Sequence, residues 1–206
     1  MPAKLQQFSL AGPAGNLEGI AHVPKAPPRA LALVAHPLPI LGGTMENKVA
    51  VTLARTFAEI GCVALRFNFR GVGASEGKYN DGDGEAADLI AVARYAQEQF
   101  GDELPLLLSG FSFGGYVAAR AAQHLAPQHL VLAAPAVGRF AMPDVSPDAL
   151  VIHGEQDEVV PLADAFDWAR PQHLPIVVLP ACGHFFHGRL TQLRDIVKRH
   201  FSGVGL

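Results

Sequence analysis

Leu106-Leu107-Leu108-Ser109-Gly110-Phe111-Ser112-Phe113-Gly114-Gly115 is the stretch that decides how this chain reads. Its first residues are a short apolar run of the kind that forms a fully buried strand. Past the glycine-flanked serine comes Tyr116-Val117-Ala118-Ala119-Arg120-Ala121-Ala122, a good helix sequence. Strand, Gly-x-Ser-x-Gly and helix in that order hold a serine on a sharp, strained turn with its hydroxyl exposed. Gly110 and Gly114 leave room for strand and helix to approach, and Gly115 relieves crowding one position further on.

Working outward, apolar strands alternate with amphipathic helices. Leu5 to Leu10 and Leu17 to Val23 read as an antiparallel hairpin. Further strands are expected at Ala30–Ala35, Val63–Phe67, Leu130–Ala134, Ala149–His153 and Ile176–Leu179. Helices are expected over Met45–Ile60 behind a Thr44 cap, and over Glu85–Phe100 behind Asp83. Two more fall over Pro161–Trp168 and Arg189–Phe201. This alternation implies an α/β fold: a mostly parallel sheet with helices on both faces. A length of 206 residues, with no repeat or composition break, is read as one domain over 1–206.

Composition excludes some classes. A net charge of −3 gives no electrostatic case for nucleic acid. No apolar run is long enough for a membrane span, and Met1 to Gln7 lacks the apolar core of a signal peptide. Cys62 and Cys182 have no metal-ligand spacing and form no disulfide framework, so a reduced, cytoplasmic setting is expected. Gly71-Val72-Gly73 follows a strand, but Glu76 stands where a dinucleotide fingerprint has its third glycine. Asp81-Gly82-Asp83-Gly84 resembles a calcium loop, yet Ala86 and Val92 occupy positions that need glycine and glutamate. No cofactor or metal is called for.

In a parallel sheet, functional groups collect beyond the carboxyl ends of strands. Ser112 stands at one such end. His153-Gly154-Glu155-Gln156-Asp157-Glu158 follows another, and Cys182-Gly183-His184-Phe185-Phe186-His187 lies beyond the last. Serine, acid, histidine is a working order, because a serine hydroxyl needs an imidazole to take its proton and an acid to orient that imidazole. Glu155 and Glu158 compete with Asp157 for the acid, and His187 competes with His184 for the base.

Together with His36-Pro37-Leu38-Pro39, Gly42-Gly43-Thr44-Met45-Glu46-Asn47-Lys48 and Phe67-Asn68-Phe69-Arg70-Gly71-Val72-Gly73-Ala74-Ser75-Glu76-Gly77, these motifs resemble the α/β-hydrolase superfamily over nearly the whole chain. Within it, the chain is most similar to small, lidless bacterial hydrolases near the dienelactone-hydrolase-like group, with serine in place of that group's cysteine. The resemblance implies Ser112 as nucleophile, Asp157 as acid and His184 as base. The backbone N–H groups of Phe113 and Leu38 are the expected oxyanion donors, since Pro37 and Pro39 have none to give. His36, Ile40, Phe111, Phe140 and Phe185 are expected around the substrate. Pro135 to Asp148 is too short for a lid, so the site is expected to be open. A carboxylesterase acting on small, accessible esters is the implied activity. A thioesterase, a small peptidase or amidase, and a silent binding protein on the same scaffold are the alternatives. The chain is expected to be a monomer or homodimer.

Overall fold

The computed structural model describes residues 3–204; Met1 and Pro2, part of the segment read as carrying no signal peptide, lie outside them. Every apolar run singled out in the sequence forms a strand. In chain order these are β1 (Lys4–Gly12), β2 (Gly15–Val23), β3 (Ala30–Ala35), β4 (Cys62–Phe67), β5 (Leu106–Phe111), β6 (His129–Ala133), β7 (Leu150–Gly154) and β8 (Ile176–Leu179). They make one sheet in the order β1-β2-β4-β3-β5-β6-β7-β8. β1 and β2 pair antiparallel, as do β2 and β4, and the remaining pairs are parallel.

Strand alternation decides which helix covers which face. Leu31, Leu33, Leu65 and Leu108 point to the side covered by α2 (Asp83–Phe100) and α3 (Phe113–Leu125). Their neighbours Ala32, Val34, Ala64 and Leu107 meet α1 (Lys48–Glu59) and α5 (Leu190–Val204) on the other. β3, β4 and β5 are buried on both faces, which is why they read as continuous apolar runs. Between Ala133 and Leu150 there is neither helix nor strand among the described residues, so no lid is built there. No helix of the described residues is long and apolar enough to cross a membrane.

Two helix starts differ from expectation by two residues or more. α1 begins at Lys48 and is capped by Asn47, whose Oδ1 accepts from the N–H groups of Val49 (2.9 Å) and Ala50 (3.4 Å). Met45 cannot enter the helix because β4 and the loop after it hold its backbone. Its N–H donates to Asn68 Oδ1 at 2.9 Å, and its carbonyl accepts from Arg66 at 2.9 Å. α2 starts at Asp83 rather than Glu85, and the Glu85 carboxylate reaches back to the N–H groups of Gly82 and Asn80. α4 (Leu162–Ala169) and α5 each open one residue later than expected.

β3 is the point from which the chain builds outward in both directions, to β4 on one side and β5 on the other. Crevices for ligands open at such switch points. Ala35 is level with Gly110 in the register, so the loop after β3 leaves the sheet beside Ser112.

Candidate active site

Ser112 sits between the end of β5 and the first turn of α3 with φ 56° and ψ −119°. That is a left-handed-side conformation which a non-glycine residue holds at a cost of about 1–3 kcal/mol. The surrounding backbone enforces it. A Cβ on Gly110 would lie 2.0 Å from the Gly114 carbonyl oxygen, and one on Gly114 would lie 2.2 Å from the Ala35 oxygen. Both obstacles are backbone, so neither gives way. The Ser112 N–H donates to the Ala133 carbonyl, and the Ser112 carbonyl accepts from Gly115, Tyr116 and Ala136. The turn is therefore tied to β6, to its own helix and to the segment beyond β6.

Two loops bring their side chains into line with this serine. Nε2 of His184, from the loop after β8, lies 3.0 Å from Ser112 Oγ. On the far side of the ring, Nδ1 lies 2.7 Å from Asp157 Oδ2. Asp157 comes from the loop after β7, and its Oδ1 accepts from the N–H groups of Val159 (2.9 Å) and Val160 (2.7 Å). All three side chains are nearly buried. Burial pushes the Asp157 carboxyl upward, but bonds from His184, Val160 and Val159 outweigh it and hold the group below the ordinary carboxylate range. The carboxylate accepts only, so Nδ1 of His184 carries the proton and Nε2 is left to accept from the serine hydroxyl.

The two rival acids have other work. Glu155 accepts from the Ala181 N–H at 2.8 Å, and Glu158 accepts from the His184 N–H at 3.3 Å. Both lash the histidine loop to the acid loop by its backbone. His187 is exposed and stacks on Phe185 at 5.7 Å, away from Ser112.

His153, quoted in the sequence without a role, supports the acid from behind. Fully buried, its Nε2 donates to the Val160 carbonyl at 2.9 Å and approaches Asp157 Oδ2 at 3.3 Å. Its Nδ1 has no partner among the described residues. Burial lowers its pKa, so the ring stays neutral beside the carboxylate.

A cleft of about 120 Å³ opens over Ser112 and His184. Leu38 and Phe113 both line it. Phe113 is the first residue of α3, so its N–H has no acceptor within the helix. Neither N–H is engaged in a turn, loop or cap bond among the described residues. Of the five residues expected around the substrate, Phe140 and Phe185 line the cleft. The other three do not. Ile40 points outward, 64% exposed. Phe111 is fully buried under the imidazole of His184, with ring centroids 5.0 Å apart.

His36 is a core residue instead of a substrate contact. Its Nδ1 donates to the Pro37 carbonyl at 2.7 Å, and its Nε2 accepts from the Phe69 N–H at 3.1 Å. That couples the loop carrying Leu38 to the loop after β4, where the buried Arg70–Asp88 pair (2.7 Å) anchors the chain. Burial takes the His36 pKa down to about 4, consistent with a neutral ring in this role. Asn47, Val159 and Arg139 also line the cleft; Asn47 falls in one of the family-like motifs without an assigned role, and no local sequence signal marked the other two.

Cys62 and Cys182 are free and buried. Burial pushes the Cys62 thiol up to about 12 and raises that of Cys182, the wrong direction for a thiolate nucleophile.

A serine on a strained strand-to-helix turn at the switch point of a mostly parallel sheet, with acid and histidine arriving from two later strand ends, defines an α/β-hydrolase. Accordingly, the chain belongs to the α/β-hydrolase family described as serine aminopeptidase S33, which it matches over residues 26–146. It is 30% identical to an uncharacterised protein of Rickettsia prowazekii, over 97% of this chain and 90% of that one. An α/β serine hydrolase without a lid from Xanthomonas campestris superposes with a TM-score of 0.90 at 39% identity, covering 98% of this chain and 95% of the other. A serine hydrolase homologue from Coxiella burnetii gives a TM-score of 0.86 at 38% identity, with 94% and 96% covered.

Proposed function

We propose that the protein is a carboxylesterase that works through an acyl-enzyme on Ser112, with His184 as base and Asp157 as orienting acid. The observation that carries this reading is the unbroken line from Asp157 Oδ2 through the His184 ring to Ser112 Oγ, at 2.7 Å and 3.0 Å. In the first half-reaction Oγ bonds to the ester carbonyl carbon while Nε2 takes the hydroxyl proton. The carbonyl oxygen becomes an oxyanion and accepts from the Leu38 and Phe113 N–H groups. Collapse breaks the bond to the alcohol oxygen, which leaves with the proton from His184. Water then repeats the sequence on the acyl-enzyme and releases the acid. The small cleft with apolar walls and no lid favours short acyl groups with accessible alcohol portions.

The family description raises a second reading, removal of an N-terminal residue from a peptide. Such an enzyme needs an acceptor for the free α-ammonium group. No Asp or Glu lines this cleft among the described residues, and Arg139, which does, repels a cation. That chemistry favours the ester.

The test is pre-steady-state hydrolysis of 4-nitrophenyl butyrate, with mass spectrometry of the quenched enzyme. The expected result is one equivalent of burst product and a butyryl adduct on Ser112, both lost in Ser112→Ala. Full activity in Ser112→Ala overturns the mechanism. Faster release of an N-terminal residue from a peptide 4-nitroanilide than of butyrate overturns the substrate class.

A further inference from the structure

The cleft walls are apolar: Leu38, Leu41, Phe113, Phe140, Val159 and Phe185 contribute. Among its lining residues Arg139 is the single arginine or lysine, and no acidic side chain faces it there. Six cations elsewhere in the chain stand in ion pairs among the described residues. Arg66 pairs with Glu46, Arg70 with Asp88, Arg120 with Asp83, Arg170 with Asp167, Arg194 with Asp195 and Lys198 with Glu59. Arg139 takes part in none of the ion pairs of the described residues. Asp164 is close by, packed beside Gly138, but it forms no ion pair with Arg139.

The backbone that carries Arg139 is tied to the reacting serine. Ala136 N–H donates to the Ser112 carbonyl at 3.1 Å, and Phe140 N–H donates to the Ala136 carbonyl at 3.3 Å. The Phe140 ring is clamped between Tyr116 (4.8 Å) and Phe113 (5.2 Å). Arg139 therefore stands between two points fixed to the elbow, while its own side chain is exposed. A guanidinium on an apolar wall attracts an anion more strongly than one in open water, and its planar fork matches a carboxylate.

Resting on the esterase reading above, we propose that Arg139 makes the enzyme selective for esters that carry a carboxylate a short chain away from the scissile carbonyl. The carboxylate sits on the acyl side in a monoester of a short dicarboxylic acid, or on the alcohol side in an ester of a carboxylated alcohol or phenol. Arg139 is a specificity residue, remote from the bonds that change.

Four substrates in two pairs separate these sources: the 4-nitrophenyl monoester of glutaric acid read against 4-nitrophenyl butyrate, and 4-carboxyphenyl butyrate read against phenyl butyrate. The measured quantity is the kcat/KM ratio of each anionic ester to its neutral counterpart, at low salt and at high salt. The expected wild-type ratio is about tenfold or more for one of the two pairs, shrinking as salt rises. Arg139→Gln is expected to bring it to about one or below, Arg139→Lys to restore part of it, and Arg194→Gln to leave it alone. Equal ratios in wild type and Arg139→Gln overturn the proposal, as does a wild-type preference for both neutral esters. Labelling of Ser112 by a fluorophosphonate keeps the two readings apart. If Ser112 labels but esters are not turned over, the esterase reading fails. The same ratio is then read from the inactivation rates of a carboxylated and a neutral phosphonate. If Ser112 does not label in the folded protein, both readings fall.

Discussion

Replacing Leu38 by proline tests the oxyanion assignment by removing a backbone donor. Leu38 has φ −54°, inside the range of about −65 ± 15° that a proline ring imposes. Its N–H is engaged in no turn, loop or cap bond among the described residues, so folding loses no hydrogen bond with it. The Leu38 carbonyl, which accepts from Leu41 (3.2 Å) and Gly43 (3.0 Å), is retained. What disappears is one of the two donors assigned above to the developing oxyanion. Deleting such a donor raises the barrier by roughly 2.7–4 kcal/mol, or about 100- to 1,000-fold in kcat. The change also removes an apolar side chain from the cleft, so Leu38→Ala is the reference and the comparison is Pro against Ala. The assay is kcat and KM for 4-nitrophenyl butyrate, with Tm measured alongside. The expected outcome is a kcat at least about 100-fold below that of Leu38→Ala, with similar KM and Tm. A Leu38→Pro enzyme as fast as Leu38→Ala, at unchanged Tm, refutes the assignment of this N–H.

Asp157→Asn is expected to lower kcat/KM by roughly 1,000- to 10,000-fold. The amide oxygen must face the fixed N–H groups of Val159 and Val160, so its NH₂ meets His184 Nδ1 and moves the ring proton to Nε2, the wrong tautomer. Glu158→Gln keeps a neutral acceptor for the His184 N–H and is expected to lose less than tenfold, so comparable losses in the two variants would reject the division of labour. His36→Leu orphans the Phe69 N–H and is expected to cost about 1–3 kcal/mol in denaturant unfolding. If its stability were intact and KM rose instead, His36 would be a substrate contact after all. Acid should destabilise the fold between about pH 6.5 and 4. His22 and His36 are held near 4 in the folded protein by burial, with Arg66 and Arg55 adding to the effect at His22, whereas unfolded histidine protonates near 6.5. Their contribution is whole above the unfolded value and is lost as pH falls towards the folded one. A flat Tm over that range would contradict it, and His36→Leu should show a shallower decline.

Strand periodicity, helix amphipathicity and the glycines of Gly110-Phe111-Ser112-Phe113-Gly114 are local properties, and they determined the α/β architecture and the strained turn from the sequence alone. Because loops leave a parallel sheet at predictable ends, the order of Ser112, Asp157 and His184 was equally legible. Choices among chemically equivalent neighbours were not. Thr44 and Asn47 are both good caps, and the decision for Asn47 came from Asn68 and Arg66, which hold Met45 from another strand. Glu155, Asp157 and Glu158 are alike as residues; the family resemblance pointed to Asp157, but it is the position of the histidine loop that gives the ring to Asp157 and backbone amides to the glutamates. At the end of β3, His36 read as a site residue, but its ring turns inward to tie two loops together. Arg139 carried no local signal at all. It became visible only when the segment beyond β6 folded against Ser112, because the charge of a side chain is written in the sequence while the surface it faces is set by the packing of distant strands.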